Sequence, residues 1–267
     1  MLSRPQIYET DPIGRDGNPS APGGAPEEDP LGVVGQVAGF ISHDLRLPLT
    51  SILAYTELLA TNDLNEAQRM DLLQEVRSNV LRMTDMISSL VELSRGRNSL
   101  KRETADITES VRRAIRMVAL EKSNFSSALI TYEHHGLAVG WFDAKRFERI
   151  VTNLVGNACD AVSLEGKVGV TSFGNADHVE ICVWDNGPGI PGPIRDSLFT
   201  PHVSYGKDDG TGLGLAIVQK LTKDHGGELF LDESCEGGTL FRITLPYLLP
   251  GSPRIDKLLQ ASRGPVA

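Results

Sequence analysis

Apolar residues recur every three to four positions along two stretches in the first third of the chain. This spacing predicts two amphipathic helices, over residues 31–60 and 65–95. In the first helix the apolar positions are Ile41, Leu45, Leu49, Ile52 and Leu59. In the second they are Leu73, Val76, Val80, Met83, Ile87 and Leu90. The second set follows a heptad repeat, which is typical of helices that pack side by side.

A short polar turn separates the two helices, so we expect an antiparallel hairpin with one apolar face. A two-helix hairpin buries too little surface to be stable alone. Pairing of two copies into a four-helix bundle covers the apolar face of each, which predicts a homodimer through residues 31–96. The alternative is a heptad stripe that packs only within its own chain.

The pattern changes beyond a polar link that follows the second helix. Over residues 100–246, alternating segments predict strands at 129–132, 139–142, 168–173, 178–185, 228–232 and 239–245. Helical spacing predicts helices at 106–123, 144–162 and 214–225. Because strands and helices do not alternate steadily, we expect an α+β fold in which helices back one mixed sheet as an α/β sandwich.

Composition narrows the class of protein. Residues 1–30 are rich in Pro and Gly and are predicted to form a disordered arm, and residues 247–267 form a tail. The formal net charge of -9 argues against nucleic-acid binding. No apolar run is long enough for a membrane span and no secretory signal opens the chain, so we expect a cytoplasmic location. The thiols of Cys159, Cys182 and Cys235 are expected to be buried and reduced.

One cluster of polar residues lies on a predicted helix of the second region. Asn153, Asn157 and Asp160 share a face of this helix, at positions i, i+4 and i+7. Oxygen donors on one face suit Mg²⁺, which prefers oxygen ligands. The alternative is an ordinary solvated helix face.

Two further clusters combine glycine with a charged or dipolar group. Asp185 ends an apolar strand, and Gly187 and Gly189 after it allow close approach of a planar ligand, although such turns are common in loops. Glycines also alternate over residues 210–214, directly before a predicted helix. Bare backbone N–H groups at a positive helix end favour an anion site. The spacing fits neither a Walker loop nor a Rossmann fingerprint.

The first helix carries one candidate reactive group. His43 and Asp44 lie off its apolar stripe, so the imidazole is expected to face water. An exposed helical histidine is as often an ordinary surface residue as a reactive one. Pro48 lies inside the same helix, where it removes the hydrogen bond to the Asp44 carbonyl at a cost of about 3 kcal/mol. A proline at this position favours a local bend beside a reactive group.

Taken together and in this order, the motifs resemble those of sensor histidine kinases. The matching segments are His43–Leu49 for the H box, Asn153–Asn157 for the N box, and Asp185–Gly189, Leu198–Pro201 and Gly210–Gly214 for the remaining ATP-site boxes. The resemblance covers residues 31–246. It implies a dimerisation and phosphotransfer hairpin followed by an ATP-binding domain of the Bergerat (GHKL) fold, over residues 100–246.

The resemblance also implies a role for each site residue. His43 would be the phosphoacceptor, and Asp44 would hold its other ring nitrogen and help to remove the proton. Asn157, supported by Asn153, would bind Mg²⁺, and Asp185 would accept a hydrogen bond from the adenine amino group. The other implied nucleotide contacts are Asp160, Gly187, Gly189, Phe199, Lys207, Gly210, Thr211, Gly212, Leu213 and Gly214.

A lid and two departures from the family pattern refine this expectation. Residues 200–209 would form a short lid over ATP, with Phe199 as its hinge and Lys207 as a phosphate contact. Asp160 stands where the family often has Lys or Arg, which marks a subgroup. Leu47 stands where members that dephosphorylate their partner usually carry Thr or Asn to orient water. Leucine cannot do so, and weak or absent phosphatase activity is expected.

The implied activity is that of a protein histidine kinase. With ATP and Mg²⁺ it would phosphorylate His43 and pass the phosphoryl group to an aspartate of a response-regulator receiver domain. A separate sensor protein is a further candidate partner. A Bergerat-fold ATPase is one alternative, but it needs a Glu base where this chain has Asn153. A non-catalytic phosphotransfer or scaffold protein is another, and the intact Asp185 and Asn157 argue against it. A serine-kinase anti-sigma factor would lack the His43 hairpin.

Overall fold

The computed structural model describes most of the chain between its two ends. The described residues are 30–60, 63–95, 99–122, 130–163, 165–175, 177–201, 203, 211–232 and 237–246, with side chains from Asp44 onward. The predicted arm over residues 1–30, apart from Pro30, and the tail over residues 247–267 lie outside them.

Two long helices form the hairpin that the apolar spacing predicts. Helix α1 spans Pro30–Leu59, with Pro48 inside it, and helix α2 spans Glu66–Ser94. The Gln68 N–H donates to Asn65 Oδ1 at 2.9 Å, and the Asn65 N–H donates to Gln68 Oε1 at 3.0 Å. This capping box satisfies two backbone donors at the start of α2.

A sandwich of strands and helices follows the hairpin. Its elements are β1 Glu103–Asp106, α3 Ile107–Glu121, β2 Ile130–Gly136, β3 Val139–Phe142, α4 Ala144–Ala161, β4 Val168–Gly174, β5 His178–Asp185, α5 Gly192–Arg195, α6 Gly214–His225, β6 Glu228–Leu231 and β7 Thr239–Pro246. The predicted bounds of β3, β5 and α6 are confirmed. The sequence pattern misses β1 and α5, because β1 is a short polar strand and α5 is a single turn.

Five strands form one mixed sheet in the order β2-β4-β5-β7-β6. Strands β2 and β4 are parallel, and every other neighbouring pair is antiparallel. A separate two-stranded antiparallel ribbon joins β1 to β3. The predicted mixed sheet is therefore confirmed, whereas the ribbon is an addition, since β1 becomes a strand only through its pairing with β3.

The core lies between one face of the sheet and helices α3, α4 and α6. Its largest fully buried side chains include Phe147, Ile150, Leu154, Ile181, Ile217, Leu221 and Ile243. Inward and outward residues alternate along β5, and Val179, Ile181, Val183 and Asp185 are buried. Because Asp185 continues this inward series, the last residue of β5 places a carboxylate at the edge of the core.

Composition predicts buried cysteines and no membrane-spanning helix. Cys159 is buried, but Cys182 is only half-buried, so burial was wrong for this residue; it lies on the outward face of β5. Burial still raises the pKa of the Cys182 thiol to about 11. Cys235 falls outside the described residues. Across the described part of the chain, every helix is too short or too polar to pass through a lipid bilayer.

Candidate functional site

The Asp185 carboxylate is the buried acid of the site. The residue is only 4% exposed. Its Oδ1 accepts a hydrogen bond from the Gly187 N–H at 2.9 Å, and Thr239 donates both its N–H and its hydroxyl. Burial raises the pKa of Asp185 above its ordinary value, and these three hydrogen bonds offset part of the increase. The carboxylate is thus held in a fixed orientation as an acceptor.

Glycines let three backbone segments meet around this carboxylate. A Cβ on Gly187 would lie 2.6 Å from the carbonyl oxygen of Ala161, at the end of α4. A Cβ on Gly238 would lie 1.9 Å from the carbonyl oxygen of Asp185, and Gly238 has a φ of +128°. Only glycine fits such a close approach at such a φ. The turn after β5 therefore packs against the end of α4, and the residue before β7 packs against the end of β5.

The predicted polar face of α4 is present and borders the glycine loop. Asn153 and Asn157 are half-buried, whereas Leu154 and Ala158, which follow them in sequence, are buried. The Asn153 side-chain amide donates to the Arg149 carbonyl at 2.8 Å. A Cβ on Gly214 would lie 2.9 Å from Asn153 Oδ1. The structure thus brings the first amide of the face against the start of α6.

Asp160 occupies the far end of the same face. Its carboxylate forms an ion pair with Lys122, the residue that caps the C-terminus of α3. The structure therefore ties Asp160 to α3, and its role as a nucleotide contact stays a prediction.

The glycine loop leads into α6 as the sequence predicts. Helix α6 begins at Gly214, and its N-cap residue Leu213 offers no side-chain hydrogen bond to the first turn. Leu213 is itself buried and anchors the loop in the core. Its N–H donates to the Thr211 hydroxyl at 3.4 Å, and Gly212 has a φ of +63°. Such an uncapped first turn offers N–H donors and a positive dipole end to an anion.

The predicted lid is described only at its start. Leu198 is buried, and the Phe199 ring contacts the Phe241 ring edge-on at 6.5 Å between centroids. Lys207 and Gly210 lie outside the described residues. The hinge role of Phe199 and the phosphate contacts of the other two stay predictions.

The phosphoacceptor segment lies within the unbroken helix α1. The His43 side chain is outside the described part, Asp44 is half-buried, and Leu47 is 67% exposed. Leu45 packs against the core of the sandwich. This stretch of α1 therefore lies beside the sandwich.

Sequence reasoning missed Thr239 and Gly238, which contact Asp185 as described above. The sequence did carry a signal for these residues, because two glycines directly precede a strand that begins with a threonine and has alternating apolar residues. Their relation to Asp185 arises from the pairing of Asp185 with Thr239 across β5 and β7, which the sequence alone does not specify.

The donor set fits an adenine nucleotide. The fixed carboxylate of Asp185 can accept a hydrogen bond from the adenine amino group, and the N–H groups in the first turn of α6 can donate hydrogen bonds to phosphate oxygens. The amide oxygens of Asn153 and Asn157 suit Mg²⁺ beside the phosphates. These groups come from β5, a strand of the sheet, and from α4 and α6, which pack on that sheet.

Two family models match the chain. The model for the His Kinase A (phospho-acceptor) domain matches residues 34–99. The model for the histidine kinase-, DNA gyrase B-, and HSP90-like ATPase matches residues 142–249. The first covers the hairpin, and the second covers α4, β5, α6 and β7.

Curated relatives of known name match both parts together. Sensor protein KdpD of Escherichia coli is 31% identical over 213 residues, which are 77% of this chain and 24% of KdpD. The histidine-protein kinase/phosphatase MprB of Mycolicibacterium vanbaalenii is 33% identical over 225 residues, 79% of this chain and 45% of MprB. The chain thus spans a quarter to a half of the length of these relatives.

Solved structures share the fold. Histidine kinase ThkA, solved in complex with the response regulator protein TrrA, superposes with a TM-score of 0.64 at 22% identity, over 83% of this chain and 64% of that one. Both family models match this chain, with the phospho-acceptor domain before the ATPase domain. The Asp185 carboxylate, the asparagine face of α4 and the glycine loop all lie within the second of these domains. This chain therefore belongs to the sensor histidine kinases of two-component systems.

Proposed function

We propose that this chain uses ATP to phosphorylate its own His43 and then passes the phosphoryl group to an aspartate of a response-regulator receiver domain. The observation that supports the proposal is a buried Asp185 that accepts three hydrogen bonds. The same chain carries the uncapped N-terminus of α6 and a phosphoacceptor hairpin.

The nucleotide is held at its two ends. Asp185 accepts a hydrogen bond from the adenine amino group, while Gly187 and Gly189 let the base lie close to the backbone. The N–H groups at the start of α6 bind phosphate oxygens. Asn157, supported by Asn153, provides oxygen ligands for Mg²⁺, which neutralises phosphate charge when it is bound.

His43 is the nucleophile. A neutral ring nitrogen of His43 attacks the γ-phosphorus, so that a nitrogen–phosphorus bond forms as the bond from phosphorus to the ADP oxygen breaks. Asp44 accepts a hydrogen bond from the other ring nitrogen, fixes the tautomer and takes up the ring proton. The remaining catalytic effect comes from positioning and charge neutralisation, as is general for phosphoryl transfer.

Water is a poor competitor in this site. ATPases with the same fold place a Glu base at the position of Asn153, and an amide cannot take a proton from water. The Asn153 amide is already engaged with the Arg149 carbonyl at 2.8 Å. The arrangement therefore favours transfer to an imidazole over hydrolysis.

A second copy of the hairpin completes the kinase. Leu73, Val80 and Ile87 recur every seven residues on α2 and are 47%, 47% and 49% exposed in one chain. Covering them with the same face of another chain forms a four-helix bundle. Each protomer then contributes one phosphoacceptor helix and one ATP site.

The phosphoryl group leaves to a receiver domain. ThkA was solved with a response regulator bound, which supports this class of partner. Leu47, 67% exposed one turn after His43, gives no polar group that could orient water for hydrolysis of the receiver's phosphoaspartate. We therefore expect weak or absent phosphatase activity.

Labelling with γ-phosphate-labelled ATP and Mg²⁺ tests the kinase. We expect label on the protein that is acid-labile and alkali-stable and that His43→Gln abolishes. Release of free phosphate without labelled protein would refute the proposal in favour of an ATPase.

A separate assay tests the role of Leu47. The phosphorylated receiver domain is incubated with the wild-type protein and with Leu47→Thr. We expect dephosphorylation to be slow with the wild type and faster with the variant. Rapid dephosphorylation by the wild type, unchanged in Leu47→Thr, would contradict this role.

A further inference from the structure

Arg146 on α4 forms a buried junction between the sandwich and the hairpin. Its side chain is 6% exposed, and its Nε lies 2.9 Å from Oε1 of Glu92, whose side chain is 8% exposed. Asp143 and Asp224 lie within 4.0 Å of the same guanidinium, and its Nη2 donates to the Ser99 hydroxyl at 2.6 Å. A charge buried in this way holds its partners in place, because separating them would leave ions without compensation.

Arg149, one turn further along α4, makes a second junction. Its Nη2 donates to the Ser89 hydroxyl at 3.0 Å, and its Nη1 donates to the Ser88 carbonyl at 3.3 Å. Asp85 lies 3.9 Å from the same guanidinium. Ser89 is only 1% exposed. The Arg149 side chain of α4 thus reaches α2 at Ser88 and Ser89.

The two junctions give α4 a direction on α2. Arg146 faces Glu92, and Arg149 faces Ser89, so α4 runs antiparallel to α2. Helix α6 in turn runs antiparallel to α4, because Asp224 faces Arg146 while Gly214 faces Asn153. Helix α6 therefore runs in the same direction as α2.

The same contacts fix a level along the hairpin. Gly214 lies ten residues before Asp224 on α6, which corresponds to about 15 Å of helix. Counting ten residues back along α2 from Glu92 reaches Arg82. With the axes of α6 and α2 taken as parallel, this count places the phosphate-binding end of α6 at about the level of Arg82.

That level is also the level of His43. Helices α1 and α2 are antiparallel on either side of a short turn, so residues equally far from the turn lie opposite each other. His43 is 16 residues before Leu59, and Arg82 is 16 residues after Glu66. This level is a height along the bundle, and it is the same whether the acceptor histidine belongs to the same protomer or to its partner.

We propose that Arg146 and Arg149 are positioning residues, which clamp α2 at Glu92 and Ser89 and thereby hold the phosphate end of the ATP site level with His43. This inference rests on the proposed kinase function. The clamp acts on alignment of the reacting groups, and it leaves the nucleotide contacts of Asp185 and α6 untouched. Misalignment by an ångström is enough to slow a positioned transfer by up to about a hundredfold.

The test changes only the hairpin side of the clamp in the full chain. Ser89→Ala removes the hydroxyl that Arg149 holds, and Glu92→Gln removes the charge that Arg146 holds. Matched controls are Ser78→Ala and Glu75→Gln, at exposed positions of the same helix. The measurements are the dissociation constant of a non-hydrolysable ATP analogue by calorimetry and the initial rate of His43 phosphorylation at saturating ATP.

We expect both clamp variants to phosphorylate His43 at least tenfold more slowly, with analogue affinity within twofold of the wild type and with both controls unchanged. Should Glu92→Gln fail to fold, Ser89→Ala decides alone. Wild-type rates in the clamp variants, faster rates, or a loss of analogue affinity would each overturn the clamp. A wild-type protein that binds the analogue but does not label His43 would overturn the kinase function itself.

Discussion

The hairpin and the sandwich bury their apolar residues in different ways. In α4, Phe147, Ile150 and Leu154 are at most 1% exposed within a single chain. In α2 the buried residues are Met86, Ser89 and Glu92, two of which are polar and face the sandwich. Leu73, Val80 and Ile87 of the apolar stripe of α2 remain about half exposed in one chain.

One chain is therefore enough to bury the apolar residues of the sandwich but not those of the hairpin. The sandwich closes its core between a sheet and three helices, so its stability should not depend on protein concentration. The hairpin exposes a heptad stripe that only another apolar surface can cover. Its stability should therefore depend on mass action between copies.

The largest expected effect is in the sandwich core. Phe147→Ala deletes a fully buried ring that contacts Phe142 edge-on at 5.0 Å between centroids. We expect the free energy of unfolding of the sandwich to fall by about 3–5 kcal/mol. Denaturant titrations at two protein concentrations measure it. A loss of free energy that varies with protein concentration would show that the sandwich is not stabilised within one chain alone.

The next effect is in the hairpin. Val80→Glu places a carboxylate in the stripe that a second copy is expected to cover, and burying an unpaired charge is costly. We expect the dimer dissociation constant to rise about a hundredfold, measured by analytical ultracentrifugation, with little change in nucleotide affinity. Ser78→Glu on the exposed side of α2 is the control. Equal dimerisation by both variants would rule out this interface.

A smaller effect concerns ligand binding by the sandwich. Asp185→Asn replaces the carboxylate acceptor by an amide, and we expect nucleotide affinity to fall about tenfold to a hundredfold. Because the pKa of Asp185 is raised in the folded protein, wild-type affinity should be full above that pKa and should fall as the pH drops through it, starting at a higher pH than for an ordinary aspartate.

Calorimetric titrations across mildly acidic pH measure this dependence, which Asp185→Asn should lack. The sign for stability is the opposite. A raised acid pKa contributes stability that is complete below the unfolded-state pKa and is lost as the pH rises through the folded-state pKa. An affinity that stays constant down to the ordinary range of aspartate would contradict the role of this carboxylate.

The smallest effect is at the turn of the hairpin. Asn65→Ala removes the capping box with Gln68 and should destabilise α2 by about 1 kcal/mol. Thermal unfolding followed by circular dichroism should show a lower hairpin transition at a given concentration. The transition of the sandwich should stay in place, and a shift of that transition instead would show that the two parts unfold together.

Much of the fold follows from local patterns. The spacing of apolar residues predicts α2, β5 and α6 almost to the residue, because strong periodicity reports which face is buried. The side chains of Asn65 and Asp143 accept hydrogen bonds from the first turns of α2 and α4, so these two caps also depend on local chemistry. Short or polar elements such as β1 are missed, since their stability comes from a partner strand distant in sequence.

The features of the candidate site likewise fall into those that local sequence predicts and those that depend on tertiary packing. The residue types at Asp185, Asn153 and Gly212 indicate nucleotide chemistry because their spacing is local. The contact of Thr239 with Asp185 depends on the register of β5 with β7, which is a property of the sheet. The pairing of Asp160 with Lys122 likewise depends on how α3 packs against α4.

Local sequence patterns are enough to predict the two-part plan, the phosphoacceptor motif and the candidate nucleotide-binding residues, because each depends on neighbouring positions. How the two parts meet is visible only in the folded structure. Arg146 and Arg149 have no local feature that sets them apart from other helix arginines. Their partners Glu92 and Ser89 are about 54 and 60 residues away, and the packing of the sandwich against α2 brings them together. The physical reason is that burial makes an ion pair specific, and burial is a property of the assembled fold.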